Sequence, residues 1–264
     1  MTPNSFISIL LMLILAAAWM LGLAGLQKPL ALHPEWFRKL LHMGSGLMAL
    51  GLPWLFQNAV AVLILSATSL LGLLALKHIP ALGRRLGGVV GGVDRDSHGD
   101  LYFVSATGLL FIVSGGDPLL FSVPMVILTF ADSAAALVGQ RYGRHRFHAN
   151  GGTKTVEGSA AFFTTAVVGA HVGLRVLADT GPAATLLLAL LLALLLTLVE
   201  ASAGRGIDNL LIPLTGCLLL RVFLGCPASL LMLHVITAVS TCVLAVLVRR
   251  HFFRCPMQIH RGAS

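Results

Sequence analysis

The sequence predicts an all-α polytopic membrane protein, because long apolar runs are separated by short loops that carry most of the charge. Of its 264 residues, 57% are hydrophobic and 11% are charged, and the mean hydropathy is +0.91. Soluble domains carry about 25% charged residues, so the composition excludes a soluble globular protein. The four cysteines have no paired spacing, and we therefore expect neither a disulfide framework nor a zinc site.

Nine membrane-spanning helices are predicted, because about 20 apolar residues are needed to cross the hydrocarbon core of a bilayer. Six runs are close to this length: Phe6–Leu26, Ala59–Leu76, Leu119–Val138, Ser159–Leu177, Ala183–Ala203 and Ser229–Val248. Three runs are shorter, and each is expected to extend past a polar residue at one end: Leu40–Phe56, Leu101–Ser114 and Leu210–Leu224. The first five residues carry no Lys or Arg, so we expect the first run to remain as a helix and not to be a cleaved signal peptide.

Lys and Arg are concentrated in every second loop, and cytoplasmic loops carry this excess. The cation-rich stretches include a loop at 77–100, a loop at 139–158 and the tail at 249–264. With nine spans, this pattern places the N-terminus outside and the C-terminus in the cytoplasm. The formal net charge of +8 therefore reflects orientation and not nucleic-acid binding. Because no basic transit segment precedes the first run, we expect a bacterial plasma membrane. Within the first loop, Gly87–Asp96 is interpreted as a flexible lid or a solvated connection.

Most polar residues near the ends of the predicted spans fall on the cytoplasmic side. They are Arg38, Lys39, His42, His98, Asp100, Asp132, Glu200, Asp208 and Asn209. Ionisable groups inside a membrane are costly and usually functional, and short helices with polar inner ends are typical of a water-filled recess. The sequence therefore predicts a site in such a recess. For Arg38 and Lys39, anchoring at the membrane surface is an alternative, and Glu200 could instead pair with Arg205.

Asp132 is the strongest single candidate for a functional residue. It lies inside an apolar run, among small residues that allow helices to approach closely. A lone carboxylate in that position would find little water. We therefore expect Asp132 to bind a metal ion or a hydroxyl group.

The segment 139–158 combines glycines with cations and ends at the start of a predicted helix. Thr155 is a plausible N-cap for that helix, and Glu157 falls in its first turn, where a carboxylate is favoured. A helix N-terminus beside Lys154 suits a polyanion such as a nucleoside triphosphate. The order of residues is not that of a P-loop, and a basic loop that touches anionic lipid is the alternative interpretation.

Three motifs follow one another along the chain: Asp132-Ser-x-Ala-x-x-x-Gly-x-x-Tyr-Gly, then Lys154-Thr-x-Glu-Gly-Ser, then Glu200 followed by Gly-Ile-Asp208-Asn-Leu-x-Ile-Pro-Leu. In this order they resemble the polyprenol kinase family, which contains phytol kinase, dolichol kinase and a nucleotide-dependent diacylglycerol kinase. The early run Arg38-Lys-Leu-x-His is also similar to a recurring element of that family. The resemblance covers about residues 35–214, most of the chain.

Phosphatidate cytidylyltransferases carry a similar first half of this signature. Their usual second half, with Ser-x-x-Lys-Arg and His-Gly-Gly-x-x-Asp-Arg boxes, does not occur after Glu157. The chain has a Gly-Ile-Asp-Asn run instead, which favours the kinase over the cytidylyltransferase. One departure from the kinase pattern is Gly152-Thr153, where family members often carry a second Lys. Phosphate binding is therefore expected to depend more on Arg144, Arg146 or the backbone.

The resemblance implies a lipid-alcohol kinase that transfers the γ-phosphoryl group of a nucleoside triphosphate to a hydroxyl group. CTP is the expected donor, with UTP or ATP as alternatives, Mg²⁺ is the expected cofactor, and the acceptor is an isoprenoid alcohol or diacylglycerol. Asp132 and Asp208 are assigned to Mg²⁺ or the hydroxyl proton, and Lys154 to the β- and γ-phosphates. Glu157 is expected to orient Lys154 or to share the metal ion. Further residues expected to bind the nucleotide or line the recess are Arg38, Lys39, Gly143, Arg144, Thr155, Glu200 and Asn209. A transporter with a polar vestibule is the alternative from another class, although no internal repeat is visible.

Overall fold

The computed structural model describes residues 3–30, 33–79, 98–150 and 152–253. Within these ranges most residues are helical, in the order α1 (Pro3–Leu30), α2 (Pro34–Leu50), α3 (Leu52–Leu55), α4 (Ala59–His78), α5 (Gly99–Ser114), α6 (Pro118–Val126), a π-helical segment (Ile127–Ala131), α7 (Asp132–Tyr142), the strands β1 (Arg146–Ala149) and β2 (Gly152–Thr155), α8 (Val156–Leu177), α9 (Pro182–Ser202), α10 (Asp208–Phe223) and α11 (Ala228–Phe253). The glycine-rich segment Gly87–Asp96 and residues 254–264 of the predicted tail lie outside the described residues.

Six helices of the described chain are long and apolar enough to cross a membrane. They are Asn4–Gln27, Ala59–His78, Pro118–Tyr142, Val156–Leu177, Pro182–Ser202 and Ala228–Val248. The three shorter predicted spans are also helical, but α2, α5 and α10 have only 17, 16 and 16 residues. An all-α integral membrane protein is therefore confirmed, whereas nine spans and the orientation of the termini stay predictions.

The three short helices begin earlier than their apolar runs, as the sequence indicated. α2 begins at Pro34, α5 at Gly99 and α10 at Asp208, so polar residues occupy their first turns. The first turns contain the carboxylates of Glu35, Asp100 and Asp208, which the positive end of the helix dipole favours. These helix starts carry much of the site described below.

Side-chain caps explain where several of the longer helices begin. Asn58 accepts a hydrogen bond from the Val60 amide at 2.8 Å, and Asp117 accepts two from amides in the first turn of α6. Thr155 accepts one from the Gly158 amide at 3.1 Å, which confirms it as the N-cap predicted for α8. Such caps satisfy amides that have no partner inside the helix.

The segment 139–158 differs from the expected loop, because it contains the antiparallel hairpin of β1 and β2. Arg146 pairs with Thr155, and Ala149 pairs with Gly152. Each strand has only four residues, the shortest run in which an alternating pattern indicates a strand. The hairpin fills the connection between α7 and α8.

The predicted helix Leu119–Val138 is not uniform, because the π-helical segment interrupts it directly before Asp132. Pro124 lies just upstream, inside α6. Proline has no amide hydrogen and disturbs the regular helical hydrogen bonds. Short π-helical turns inside α-helices are frequent at functional sites.

The rod formed by α6, the π-helical segment and α7 is the most buried of the six helices that are long enough to cross a membrane. Phe121, Val123 and Met125 are fully buried, and the rod packs against α2, α8 and α10. Small residues allow this close approach, since a Cβ atom at Gly46 of α2 would overlap the Thr129 side chain. By contrast, α1, α4 and α11 expose many large apolar side chains, as lipid-facing helices do. The rod therefore holds the start of α7 in the middle of the bundle.

Candidate active site

α2 and α7 bring a buried ion pair together. Lys39 Nζ lies 2.5 Å from Asp132 Oδ2, and the two residues are only 3% and 8% exposed. A buried charge is tolerated only when it is paired and hydrogen-bonded, so each residue of this pair holds the other in place. Lys39 is therefore not a surface anchor, which was the alternative interpretation of the sequence.

His42 contacts the same carboxylate from one helical turn further along α2. Its Nε2 atom lies 3.6 Å from Asp132 Oδ2 and 3.2 Å from the carbonyl oxygen of Leu128 in the π-helical segment. The ring also packs edge-on against Phe103 of α5, with 4.9 Å between the ring centres. The imidazole thus joins three elements around Asp132. The motifs indicated no specific role for His42, although its spacing of three residues from Lys39 places both on one helix face.

Arg38 lies beside this pair and binds Glu35 of the same helix. Its Nη2 and Nε atoms lie 2.5 and 3.0 Å from the two carboxylate oxygens. Burial raises the pKa of Glu35, but the Arg38 guanidinium outweighs burial and holds the pKa below its usual value. Arg38 also interacts electrostatically with Asp132 and Asp208. Its positive charge therefore acts on both carboxylates that the sequence assigned to a metal ion or a hydroxyl group.

A second cluster of charge surrounds Lys154, where β2 meets the end of α9. Lys154 Nζ lies 2.6 Å from Glu200 Oε1 and 3.3 Å from Asp208 Oδ2, and it also donates a hydrogen bond to the Glu200 carbonyl oxygen. Glu200 thus pairs with Lys154 and not with Arg205, the partner that the sequence left open. Arg205 and Gly206 form the turn between α9 and α10 with positive φ angles of 53° and 86°. This turn places Asp208 at the start of α10, within reach of Lys154.

Three buried oxygens at this end of the fold have no hydrogen-bond partner within the described part of the chain. They are Glu200 Oε2, Asn209 Oδ1 and Asp100 Oδ2. The same side chains are anchored by their other atoms: Asn209 Nδ2 donates to the Gly99 carbonyl at 2.8 Å, and Asp100 Oδ1 accepts from Lys77 at 2.8 Å. An unsatisfied buried oxygen is costly. These fixed, unpartnered oxygens are therefore candidates for ligand binding.

The structure separates the five residues predicted in the segment 139–158. Lys154 and Thr155 line the cavity described below. Gly143, Arg144 and Glu157 do not line it. Glu157 binds the ring of His145, with 2.7 Å between Oε1 and Nδ1, and is not brought to Lys154. A Cβ atom at Gly143 would overlap the Thr155 side chain, so the hairpin base packs closely on the end of α7. Arg144 is exposed.

A cavity of about 1490 Å³ joins both charged clusters to an apolar chamber. Its polar part is lined by the two clusters, the hairpin and the turn between α9 and α10, through Arg38, Lys39, His42, Asp132, Arg146, Lys154, Glu200, Arg205, Asp208 and Asn209. Its largely apolar part, the chamber, lies between α1, α2, α4 and α5 and is lined by Met12, Leu13, Ala16, Ala17, Met20, Met48, Ala49, Leu52, Leu65, Leu73, Leu76 and Val104, together with the hydroxyl side chains of Ser45, Ser66, Thr68, Ser69 and Thr107. One cavity can therefore receive a highly charged group and an apolar chain together.

The polar part is rich in oxygen ligands of the kind that Mg²⁺ prefers. Asp132, Asp208 and the unpartnered Oδ1 of Asn209 supply such ligands. Across the ranges that the structure describes, no three His, Cys, Asp or Glu side chains form a ready-made metal site. Mg²⁺ usually keeps several waters and binds through one or two carboxylates together with substrate phosphates. The donor set therefore fits a metal ion that binds together with a nucleotide.

Two known proteins are similar to the chain. A phytol kinase from Synechocystis sp. (strain ATCC 27184 / PCC 6803 / Kazusa) is 31% identical over 209 residues, which cover 74% of this chain and 83% of the relative. A dolichol kinase from Saccharomyces cerevisiae (strain ATCC 204508 / S288c) is 38% identical over 125 residues, which cover 46% of this chain and 23% of the yeast protein. No family model matches the chain, and no solved structure matches it significantly. The family expected from the motifs is thereby confirmed: the chain belongs to the polyprenol kinase family and is a lipid-alcohol kinase, a phosphotransferase.

Proposed function

We propose that the protein transfers the γ-phosphoryl group of CTP to the hydroxyl group of an isoprenoid alcohol at the cytoplasmic face of a bacterial plasma membrane. The observation that carries this proposal is the continuity of one cavity, in which two lysine–carboxylate clusters adjoin an apolar chamber. A kinase for a membrane alcohol needs charged groups for the phosphates and space for a lipid chain. The two relatives are named for phytol and dolichol, both isoprenoid alcohols, which supports this class of acceptor.

On the donor side, Lys154 and Arg146 would bind the phosphates of the nucleotide. Lys154 is paired with Glu200 and Asp208, and phosphate oxygens accept the same charge-assisted hydrogen bonds as carboxylates do. Arg38 would add positive charge at the mouth of the cavity. Phosphoryl transfer depends mainly on positioning and charge neutralisation, and these cations supply both. CTP as the donor follows from the resemblance of the motifs.

On the acceptor side, Asp132 would receive the lipid hydroxyl. Along α2 the cavity lining changes from Lys39 and His42 to Met48 and Ala49, so Asp132, the partner of Lys39, lies where the polar and apolar parts meet. The acceptor oxygen would form a bond to the γ-phosphorus, and the bond from that phosphorus to the bridging oxygen would break. The hydroxyl proton would pass to the Asp132 carboxylate, and the nucleoside diphosphate would leave.

Asp208, Asn209 and Asp132 would hold Mg²⁺ together with the nucleotide. When bound, the metal ion neutralises negative charge on the phosphates. Glu200 interacts electrostatically with both Asp132 and Asp208, so the negative charges of these three carboxylates act on one another. While no nucleotide is bound, Lys39 and Lys154 would offset the negative charge of these carboxylates.

The cytoplasmic orientation is supported by the distribution of cations. Arg38, Lys77, Arg146 and Arg205 all line this cavity. They belong to the loops and helix ends that the positive-inside rule assigns to the cytoplasm. Nucleoside triphosphates are present on that side of the membrane, so this orientation supplies the donor.

A phosphotransfer assay on purified protein in detergent tests the proposed function. γ-Labelled CTP, UTP and ATP are each offered with Mg²⁺ and with phytol, a polyprenol, diacylglycerol or phosphatidic acid. We expect label in an alcohol monophosphate with CTP, and no label when EDTA removes Mg²⁺. Release of pyrophosphate with phosphatidic acid would show a cytidylyltransferase instead. No reaction with any pair would favour the transporter.

Asp132→Asn is the variant that tests the assignment of the acceptor carboxylate. We expect it to be folded and inserted but without turnover, because an amide cannot accept the hydroxyl proton. Asp117→Asn makes the same chemical change at the N-cap of α6, outside the cavity lining. Asn caps a helix as well as Asp does, so this control should keep wild-type activity. A near-normal rate for Asp132→Asn would refute the assignment.

A further inference from the structure

The turn between α9 and α10 has a backbone conformation that does not favour arginine. The Ile207 amide donates a hydrogen bond to the Gly204 carbonyl oxygen at 3.2 Å, and the two residues between them, Arg205 and Gly206, both have positive φ angles. Two positive φ angles are typical of a type I′ turn, whose central positions favour asparagine, aspartate and glycine. Arg205 is the one non-glycine residue with a positive φ angle in the described ranges. Local backbone preference therefore does not explain an arginine at this position.

Arg205 also differs in charge balance from four other cations that line the cavity. Arg38, Lys39, Lys77 and Lys154 each form an ion pair with a carboxylate. Arg205 lines the same cavity, but no hydrogen bond or ion pair joins its guanidinium to another residue in the part of the chain that the structure describes. A lysine that already neutralises a carboxylate adds little net charge for a phosphate, whereas an unpaired guanidinium offers its whole charge and five donors.

The turn lies beside the lysine that is proposed to bind the phosphates. Glu200 precedes the turn and Asp208 follows it, and both contact Lys154 Nζ, at 2.6 and 3.3 Å. The Asn209 amide donates to the Gly206 carbonyl oxygen at 3.1 Å, so the turn continues directly into the first turn of α10. A strained residue held in this way at a candidate site points to a functional role for its side chain.

We infer that Arg205 is a catalytic residue, whose guanidinium binds the β-phosphate and stabilises negative charge on the leaving nucleoside diphosphate. When the bond between the γ-phosphorus and the bridging oxygen breaks, its electron pair stays on that oxygen, and negative charge grows on the β-phosphate. Charge-assisted hydrogen bonds from a guanidinium held there strengthen as this charge develops. The γ-phosphoryl group must reach the acceptor at Asp132, whereas Arg205 is exposed and adjoins the Lys154 cluster, which favours the leaving group as its partner. The inference rests on the proposed function and adds a catalytic residue to it.

Replacement of Arg205 separates catalysis from folding. Arg205→Gly and Arg205→Asn remove the charge and introduce residues that the turn favours, so the SDS concentration at the unfolding midpoint should stay the same or rise. We expect kcat to fall about 100-fold or more in both variants, with a smaller change in the KM for the nucleotide. Arg205→Lys should recover part of the loss in kcat, because it keeps the charge without the planar fork of donors. Arg141→Ala is the matched control, since Arg141 is also exposed at this end of the fold but does not line the cavity.

Kinetics are measured with the nucleotide and alcohol that give the highest rate in the wild type. A kcat within about threefold of the wild type in Arg205→Gly would overturn the inference. A raised KM with an unchanged kcat would overturn it as well, because the residue would then bind the nucleotide equally before and during the reaction. A lost kcat accompanied by a lower unfolding midpoint in both Arg205→Gly and Arg205→Asn would show a structural role instead.

Chemical rescue tests the charge itself. Guanidinium chloride at millimolar concentration should restore part of the lost rate to Arg205→Gly, whereas urea, which has the same planar shape without the charge, should not. Equal rates with guanidinium and with urea would overturn the requirement for a positive charge at this position. Failure of the wild type to phosphorylate any alcohol with any nucleotide would instead refute the proposed function, so the two failures are distinguishable.

Discussion

Removing one partner of the buried pair of Lys39 and Asp132 should destabilise the protein far more than removing both. The paired atoms lie 2.5 Å apart and are almost inaccessible to solvent. In Lys39→Met, the Asp132 carboxylate stays buried. The nearest remaining side chain that can carry a positive charge is His42, whose Nε2 atom lies 3.6 Å from Asp132 Oδ2. Breaking a buried pair from one side costs about 3–5 kcal/mol. We expect the free energy of unfolding to fall by this amount, and by a similar amount in Asp132→Leu.

The double variant Lys39→Met/Asp132→Leu removes both charges and replaces them with apolar side chains of similar size. Replacement of a whole buried ion pair by apolar residues is often neutral or stabilising. The double variant should therefore lie within about 1 kcal/mol of the wild type in its free energy of unfolding. Phosphotransfer should nevertheless be lost in all three variants, because Asp132 or its partner is missing from the site.

Unfolding of the detergent-solubilised protein with increasing SDS, followed by helical circular dichroism, measures these free energies, and the phosphotransfer assay is run on the same samples. Single variants that each lose less than about 1 kcal/mol would refute the reasoning, because that is the range of an exposed ion pair. A double variant as unstable as the single ones would also refute it, since the loss would then arise from packing and not from an unpaired charge.

Two further variants test the polar end of the cavity. Lys154→Met should raise the KM for the nucleotide about 10- to 100-fold, because a hydrogen bond to a charged group is worth about 1.5–3 kcal/mol. Lys154→Arg should recover part of this loss in affinity. An unchanged KM in nucleotide titrations would contradict the contact between Lys154 and the phosphates. The pair of Glu35 and Arg38 lowers the folded-state pKa of Glu35, so its stabilising effect is present above the usual titration range of a glutamate and is lost as the pH falls through the folded pKa. Unfolding measured between about pH 7 and about pH 3 should show this loss in the wild type and less of it in Glu35→Gln, and equal slopes would speak against the pair.

Local signals in the sequence predicted the helices well. Each of the nine apolar runs predicted from the sequence is mainly helical in the structure, and the cap at Thr155 marked the start of α8. Polar residues before the short apolar runs correctly indicated that α2, α5 and α10 begin before those runs do. These signals depend on residues that are neighbours along the chain, which is why a single sequence contains them.

The pairing of charges could not be predicted, because it depends on helix packing. Lys39 and Asp132 are 93 positions apart, and Lys154 and Glu200 are 46 positions apart. The sequence identified all four as candidates but offered Arg205 as the partner of Glu200. The π-helical segment and the short hairpin were also missed, since a π-helical turn of five residues lies inside one apolar run and each strand of the hairpin is at the shortest length that an alternating pattern can indicate.

Lys39 is synthesised long before the carboxylate that neutralises it. Until α7 has been made and inserted, a lysine at the centre of a membrane helix costs about 2.5–3.5 kcal/mol. The start of α2 should therefore remain at the aqueous boundary while α4 and α5 leave the ribosome. The second cluster forms later still, because Asp208 reaches Lys154 only with α10. A nascent chain that ends before α10 would hold inserted helices without the oxygens of Asp208 and Asn209 in the polar part of the cavity, so assembly of the site belongs to the last stages of synthesis.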